Sequence, residues 1–183
     1  MNYGQNDKLK NLNASVLRLI RENNEAAMVP QTAAGALVLQ LRKIIADGYV
    51  FYFKAHTFHW NVEGANFPQY HDFFGKVYEQ VFGNLDTIAE EMRALRAYAP
   101  ISLATLIATA NIKETPYVPA PEMMFTILAE DNNTIITGLT AGYKLAEAAN
   151  EVGLSNLLQD LIDKHKKLGW MITSIVSGPG KGE

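Results

Sequence analysis

The chain of 183 residues contains no cysteine. A disulfide framework, a thiolate metal site and a cysteine nucleophile are therefore excluded, and any metal must be held by nitrogen and oxygen atoms. No apolar run approaches the roughly 18 residues that a membrane span needs, and the first residues lack the layout of a secretory signal. These absences predict a protein of the cytoplasm that does not enter a membrane.

Strong charge of either sign is missing as well. The formal net charge at pH 7 is -3 and the sequence pI is about 5.8, so the chain offers no general attraction to nucleic acid. Hydrophobic residues make up 48% of the chain and charged residues 19%, which is typical of a globular protein with a continuous core. The composition therefore predicts one ordinary domain.

Helical periodicity dominates the sequence, because apolar residues recur at spacings of three and four and almost never alternate. Four long helices are predicted, with a break at 151–153 before the last one. They extend from about Thr32, as N-cap, to Trp60, from Gln69 to Tyr98, from Glu122 to Ala149 and from Ser155 to Ser177. We expect the helical domain at 31–177, with tails at 1–30 and 178–183.

A short turn and a long crossover organise these helices. The turn between the first two helices contains Asn61, Gly64, Asn66 and Pro68. Such a short connection predicts an antiparallel pair. The stretch from Pro100 to Pro121 has four prolines around one apolar insert, ISLATLIATA, which predicts a long crossover that carries a short helix. Two helix pairs joined in this way define an all-α, ferritin-like four-helix bundle.

Histidines and carboxylates gather in the middle of the sequence. Three of the four histidines occur within HTFHWNVEGANFPQYH, from His56 to His71. His59 ends the first helix and His71 begins the second, so the short turn can bring them together. Asp86 and Glu90 lie four residues apart on the second helix, beside its apolar stripe, where both can reach one cation. The simpler interpretations are core histidines and a solvated acidic pair.

The histidines and the acids cannot meet within one chain. Fifteen residues separate His71 from Asp86, which is about 22 Å of helix rise. A two-fold partner with its second helix antiparallel would place each pair opposite the other, because an isologous contact occurs twice. Gly75 and Gly83 lie on the same side of that helix, where close approach would offset a cost of about 1 kcal/mol for each glycine. Two imidazoles and two carboxylates suit iron, with zinc or manganese as alternatives.

The segments FKAHTFHWNVEGANFPQYH and LDTIAEEMRAL resemble the Dps family, the DNA-binding proteins from starved cells, which are dodecameric mini-ferritins. The resemblance extends from about Thr32 to Met171 and includes KHKKLGWM. It implies a homododecameric shell with ferroxidase centres at two-fold interfaces, which oxidise Fe2+, preferably with hydrogen peroxide, store ferric mineral and protect DNA from oxidative damage. Carried over by motif, the metal-binding and catalytic residues are His59, His71, Asp86 and Glu90, with Trp60 beside the iron.

One position departs from the family pattern. Many Dps proteins carry an acid four residues after the second histidine, and here that residue is Gly75. We therefore expect reduced ferroxidase activity, with one iron bound well and a second bound weakly. The alternative function is a structural or DNA-associated shell with a weakened ferroxidase site. A bundle oxygenase or a manganese catalase is disfavoured, since no Glu-x-x-His pair occurs at the expected place.

Three further residues near these motifs have less specific roles. We expect His56 to support the site from outside the ligand set, through a hydrogen bond that orients a ligand. Trp60 either takes up an oxidising equivalent or simply packs at the end of its helix. His165, which lies among lysines, is expected at the surface and outside the site.

Charged residues outside these motifs determine what we expect for ion entry and for DNA binding. Dps shells admit ions through acidic pores at the three-fold axes, and here Glu151, Asp160 and Asp163 are the pore candidates, unless they are ordinary exposed charges. The tails hold few basic residues, namely Lys8, Lys10, Arg18, Arg21 and Lys181. DNA binding, and with it any association with the nucleoid, is therefore expected to be weak or absent near neutral pH.

Overall fold

The computed structural model describes residues 33–177. Five helices and no strand occur among these residues. Their bounds are α1 Ala33–Asn61, α2 Phe67–Ala94, α3 Leu103–Thr109, α4 Pro121–Ala148 and α5 Val152–Val176. The predicted all-α fold, with four long helices and a short one in the crossover, is confirmed. The tails, their basic residues and Thr32 lie outside the described residues.

The long helices pack as two pairs, α1 with α2 and α4 with α5, and α1 also lies against α4. Gln40 Nε2 donates to the Gly138 carbonyl at 2.9 Å, and Lys54 pairs with Asp131 at 2.5 Å. Since the residue numbers rise on α1 as they fall on α4, these two helices are antiparallel. Large side chains fill the centre, among them Phe51, Phe74, Phe125, Leu41 and Leu128. Burial of these apolar faces is what stabilises the bundle.

The length and hydropathy of the described helices determine whether any of them could span a membrane. Among the five that the structure describes, none combines the length and the hydropathy that crossing a bilayer requires.

Helix α2 ends four residues earlier than predicted, at Ala94 instead of Tyr98. Arg96 adopts a left-handed backbone conformation, with φ of 61°. This conformation turns the chain so that the Ala97 amide donates back to the Met92 carbonyl at 3.0 Å. Arginine carries no sequence signal for this conformation, so the apolar pattern alone extended the predicted helix too far.

The break between α4 and α5 lies at Asn150 rather than at 151–153. Asn150 has a φ of 58°, and asparagine adopts the left-handed region more readily than most residues. The following amide, of Glu151, donates to the Ala146 carbonyl at 2.9 Å. Gly153 lies within α5, which therefore begins at Val152 and not at Ser155. The predicted break at 151–153 therefore lies two residues too late and shares only Glu151 with the observed one.

A buried carboxylate holds the long crossover against α1. Asp47 is 2% exposed, and its carboxylate oxygens accept hydrogen bonds from the Asn111 amide at 2.6 Å, the Ile112 amide at 2.9 Å and Asn111 Nδ2 at 3.0 Å. Three donors compensate for removing this charge from water. The crossover that links the two helix pairs is thereby fixed to the bundle.

His165 is buried, and the expectation of a surface histidine is wrong. Its side chain is 4% exposed, because it continues the apolar stripe of α5 that includes Leu158, Leu161 and Leu168. Nδ1 donates to Asn132 Oδ1 at 2.7 Å, while Asn132 Nδ2 donates to the His165 carbonyl at 2.9 Å. Burial, and then the charge of Lys164, lower the pKa of His165 from 6.5 to about 4.

Protonation of His165 should make the fold sensitive to acid. Because its pKa is lower in the folded chain, its stabilising contribution is fully present above about pH 6.5 and is lost as the pH falls toward 4. The difference amounts to about 3 kcal/mol. We expect His165→Gln to flatten the dependence of the unfolding free energy on pH in this window, measured by urea unfolding across a pH series. Equal pH slopes in the variant and the wild type would contradict the burial of a neutral His165.

Candidate metal centre

His59 and His71 face each other across the turn between α1 and α2. Their rings stack with centroids 3.7 Å apart and planes inclined by 25°. His59 Nδ1 donates to the His71 carbonyl at 2.7 Å, and His71 Nδ1 donates to the His59 carbonyl at 2.8 Å. A carbonyl can only accept, so each neutral ring carries its proton on Nδ1 and keeps the lone pair of Nε2 free. This is the tautomer that a metal-binding histidine uses.

The turn itself fixes the two histidines in place. Val62 is 2% exposed and anchors the end of α1 in the core. Gly64 has a φ of 106°, which only glycine adopts without strain, and its carbonyl accepts from the Phe67 amide at 3.1 Å. Pro68 then occupies the first turn of α2, where its missing N–H is not needed. The cluster of turn residues in the sequence therefore produces the predicted meeting of His59 and His71.

Gly75 is buried against the ring of His59. A Cβ atom at this position would lie 3.3 Å from His59 Nδ1 and 3.4 Å from Cε1. This glycine thus permits a close approach to α1 of its own chain. Gly83 differs, because it is exposed and an added Cβ would meet nothing within 4 Å. Of these two glycines, Gly83 is the one that leaves space beside α2.

His56 lies among aromatic rings beside His59. Its ring is 4.0 Å from that of Tyr78 and 4.1 Å from that of Trp60, and the Tyr52 hydroxyl lies 3.3 Å from its Nδ1. Burial, and then the charge of His59, lower the pKa of His56. The ring centroids of His56 and His59 are 6.2 Å apart, and the hydrogen bond that orients His59 is donated by its own Nδ1 to the His71 carbonyl across the turn. Among the described residues, His56 contacts its neighbours through its ring and the Tyr52 hydroxyl, and no hydrogen bond joins it to His59. Its supporting role in the site stays a prediction.

Three large aromatic side chains are exposed on α1 and α2, and we call them the exposed aromatic face: Phe53, Trp60 and Phe82. Their side chains are 50%, 57% and 52% exposed. Trp60 also contacts Phe53 edge to face, with ring centroids 6.4 Å apart. Trp60 thus packs against two rings of its own chain while more than half of its side chain stays exposed, and both of its predicted roles stay open.

Asp86 and Glu90 are exposed on α2, although the adjacent Leu85 and Ile88 are buried. Helix rise places Asp86 about 22 Å from His71. Within residues 33–177 of one chain, no three or more histidine and carboxylate side chains come together as a metal site. The structure brings the two histidines together and leaves the two acids far from them. A site built from all four requires a second chain.

The three pore candidates lie on α5 or at its start. Glu151 is the N-cap residue of α5 and is half-buried, whereas Asp160 and Asp163 are exposed. All three remain predictions, because a pore would form only between chains.

Known proteins are similar to this chain in sequence and in fold. The Ferritin-like domain family matches residues 38–178. The antigen TpF1 of Treponema pallidum is 30% identical over 146 residues, which cover 76% of this chain and 80% of that protein. The DNA protection during starvation protein of Brevibacillus brevis is 27% identical over 136 residues, which cover 74% of this chain and 91% of that protein.

Solved structures agree with these relatives. TpF1 superposes with a TM-score of 0.78 at 27% identity, over 81% of this chain and 96% of the other. A Dps protein of Vibrio cholerae, described as a member of a broad superfamily of ferritin-like diiron-carboxylate proteins, gives 0.77 at 25% identity, over 81% and 93%. The chain belongs to the ferritin-like family, in its Dps branch.

A methyl group at position 75 should displace the His59 ring. In Gly75→Ala the new Cβ lies 3.3 Å from His59 Nδ1, so the ring must shift and its bond to the His71 carbonyl weakens. We expect the affinity for Zn2+ or Co2+ to fall about tenfold, measured by titration calorimetry. Gly153→Ala is the matched control, because a Cβ there meets nothing within 4 Å. Unchanged affinity in Gly75→Ala would contradict the close contact.

Proposed function

We propose that the protein is a ferroxidase and iron-storage shell, which oxidises Fe2+ at sites shared between two chains and protects DNA from oxidative damage. The observation that carries this proposal is the reciprocal hydrogen bonding of His59 and His71, which leaves two neighbouring Nε2 lone pairs free. The name of the Brevibacillus brevis relative, a DNA protection during starvation protein, supports the same biological role. Self-association into a dodecamer is part of the proposal.

A two-fold partner completes the ligand set in this proposal. With the two α2 helices antiparallel, the partner's Asp86 and Glu90 lie opposite His59 and His71, and each contact occurs twice. The exposed aromatic face supplies apolar surface to bury in such an interface. The open space at Gly83 supports close approach of the partner helix.

Ferrous iron is the substrate of this site. Two imidazole nitrogens with two carboxylates tolerate both ferrous and ferric iron, and zinc or manganese can compete for the same atoms. Reduction of one hydrogen peroxide to two water molecules takes two electrons and two protons, so two Fe2+ ions supply the electrons. Because Gly75 provides no carboxylate, the second iron has fewer protein ligands and its oxidation is slower. Trp60, next to His56, is the residue proposed to take up an oxidising equivalent.

Entry of iron is assigned to acidic pores between chains. In this proposal Glu151, Asp160 and Asp163 attract Fe2+ toward the interior of the shell.

A second candidate function is favoured by Gly75 alone. A shell whose metal site lost one acid can serve a structural or DNA-associated role with little ferroxidase activity. Stopped-flow measurement of Fe2+ oxidation distinguishes the two functions. Disappearance of Fe2+ no faster than in buffer, with peroxide and with oxygen, would reject the ferroxidase and leave the structural shell.

Loss of either half of the site should abolish rapid oxidation. His59→Ala and Asp86→Ala are each expected to slow Fe2+ oxidation at least about tenfold, measured by stopped-flow absorbance with hydrogen peroxide. Light scattering should show that the assembly persists. Asp72→Ala is the control, since Asp72 is an exposed acid beside His71 that pairs with Lys76 at 2.6 Å. Wild-type kinetics in both site variants would contradict the assignment.

A further inference from the structure

A small cavity lies at the centre of the bundle, where α1, α2, α4 and α5 meet. Its volume is about 20 Å³, enough for one water molecule. Most of the lining is apolar, with Ile44, Leu139 and Leu161 coming from three different helices. The two polar residues that line it are Asn84 of α2 and His165 of α5. Polar side chains in such surroundings need hydrogen-bond partners.

Each of these two residues has one unused hydrogen-bonding atom. Asn84 Nδ2 is buried and has no partner among residues 33–177. The ring of His165 donates from Nδ1 to Asn132 Oδ1. That amide oxygen can only accept, so the proton of the neutral ring is on Nδ1 and Nε2 is an acceptor. No protein partner for Nε2 occurs in the described part of the chain.

The hydrogen-bonding properties of Asn84 Nδ2 and His165 Nε2 determine which kind of molecule can occupy the cavity. The N–H groups of Asn84 disfavour a cation, and the lone pair of His165 Nε2 disfavours an anion. A neutral molecule that both accepts and donates hydrogen bonds satisfies the two together, and water is one of suitable size. We infer that one water molecule occupies this cavity, accepting from Asn84 Nδ2 and donating to His165 Nε2.

This water is a link between helices that otherwise hardly touch. Helices α2 and α5 have few direct contacts. The water extends the bonded pair of Asn132 and His165 into a network that joins α2, α4 and α5. Asn84 lies two residues before Asp86, so the link holds the exposed acidic part of α2 to the bundle. The inference is independent of metal binding at the histidines.

A crystal structure of the full chain at high resolution tests the inference directly. We expect one peak of solvent density within hydrogen-bond distance of both Asn84 Nδ2 and His165 Nε2. An empty cavity, or a side chain that has turned to give either atom a protein partner, overturns it.

A double-mutant cycle gives an independent test. Asn84→Ala and His165→Phe should lower the urea midpoint by less together than the sum of their separate effects, because both remove bonds to the same water. Asn133→Ala, at an exposed position of α4, should add to His165→Phe without coupling. Strict additivity of Asn84→Ala with His165→Phe overturns the inference. If His165→Phe does not fold, the solvent density in the wild type decides.

Discussion

Two reciprocal hydrogen bonds across the α1–α2 turn determine what the histidines can do. Because each Nδ1 donates to the other residue's carbonyl, the tautomer, the ring orientation and the approach of the two helices are set together. Both bonds lie within one chain, so the two rings are held in place without a second chain. In the proposed site, the Nε2 atoms of these rings would bind the metal.

The length of α2 keeps the histidines and the acids of the proposed site apart within one chain. Its 28 residues form one continuous helix, so Asp86 cannot bend back over the roughly 22 Å that separate it from His71. The side chains that line α2 toward the core are buried, whereas Phe82, Gly83 and Asp86 face outward. A helix of this kind presents histidines at one end and acids toward the other. In the proposed site, two copies in antiparallel orientation would bring both ends together.

Periodicity was sufficient to predict the four long helices, the short one and the meeting of His59 with His71, because these follow from apolar spacing and from a cluster of turn residues. Helix ends at Arg96 and Asn150 were missed, since a left-handed residue leaves little trace in an apolar pattern. The flanking lysines of His165 predict a surface position, but its place in the apolar stripe of α5 buries it. The contact between Gly75 and His59 joins two helices, and no pattern within one helix contains it.

Mixed assemblies of two inactive variants test the shared site most directly. His59→Ala and Asp86→Ala chains, carrying different affinity tags, are co-expressed in equal amounts, and assemblies that hold both are purified. If each site takes histidines from one chain and acids from the other, random pairing restores about a quarter of the wild-type number of intact sites. The account predicts that fraction of the wild-type rate of Fe2+ oxidation. No recovery above the separate variants would contradict it, because a site contained in one chain stays broken in every mixture.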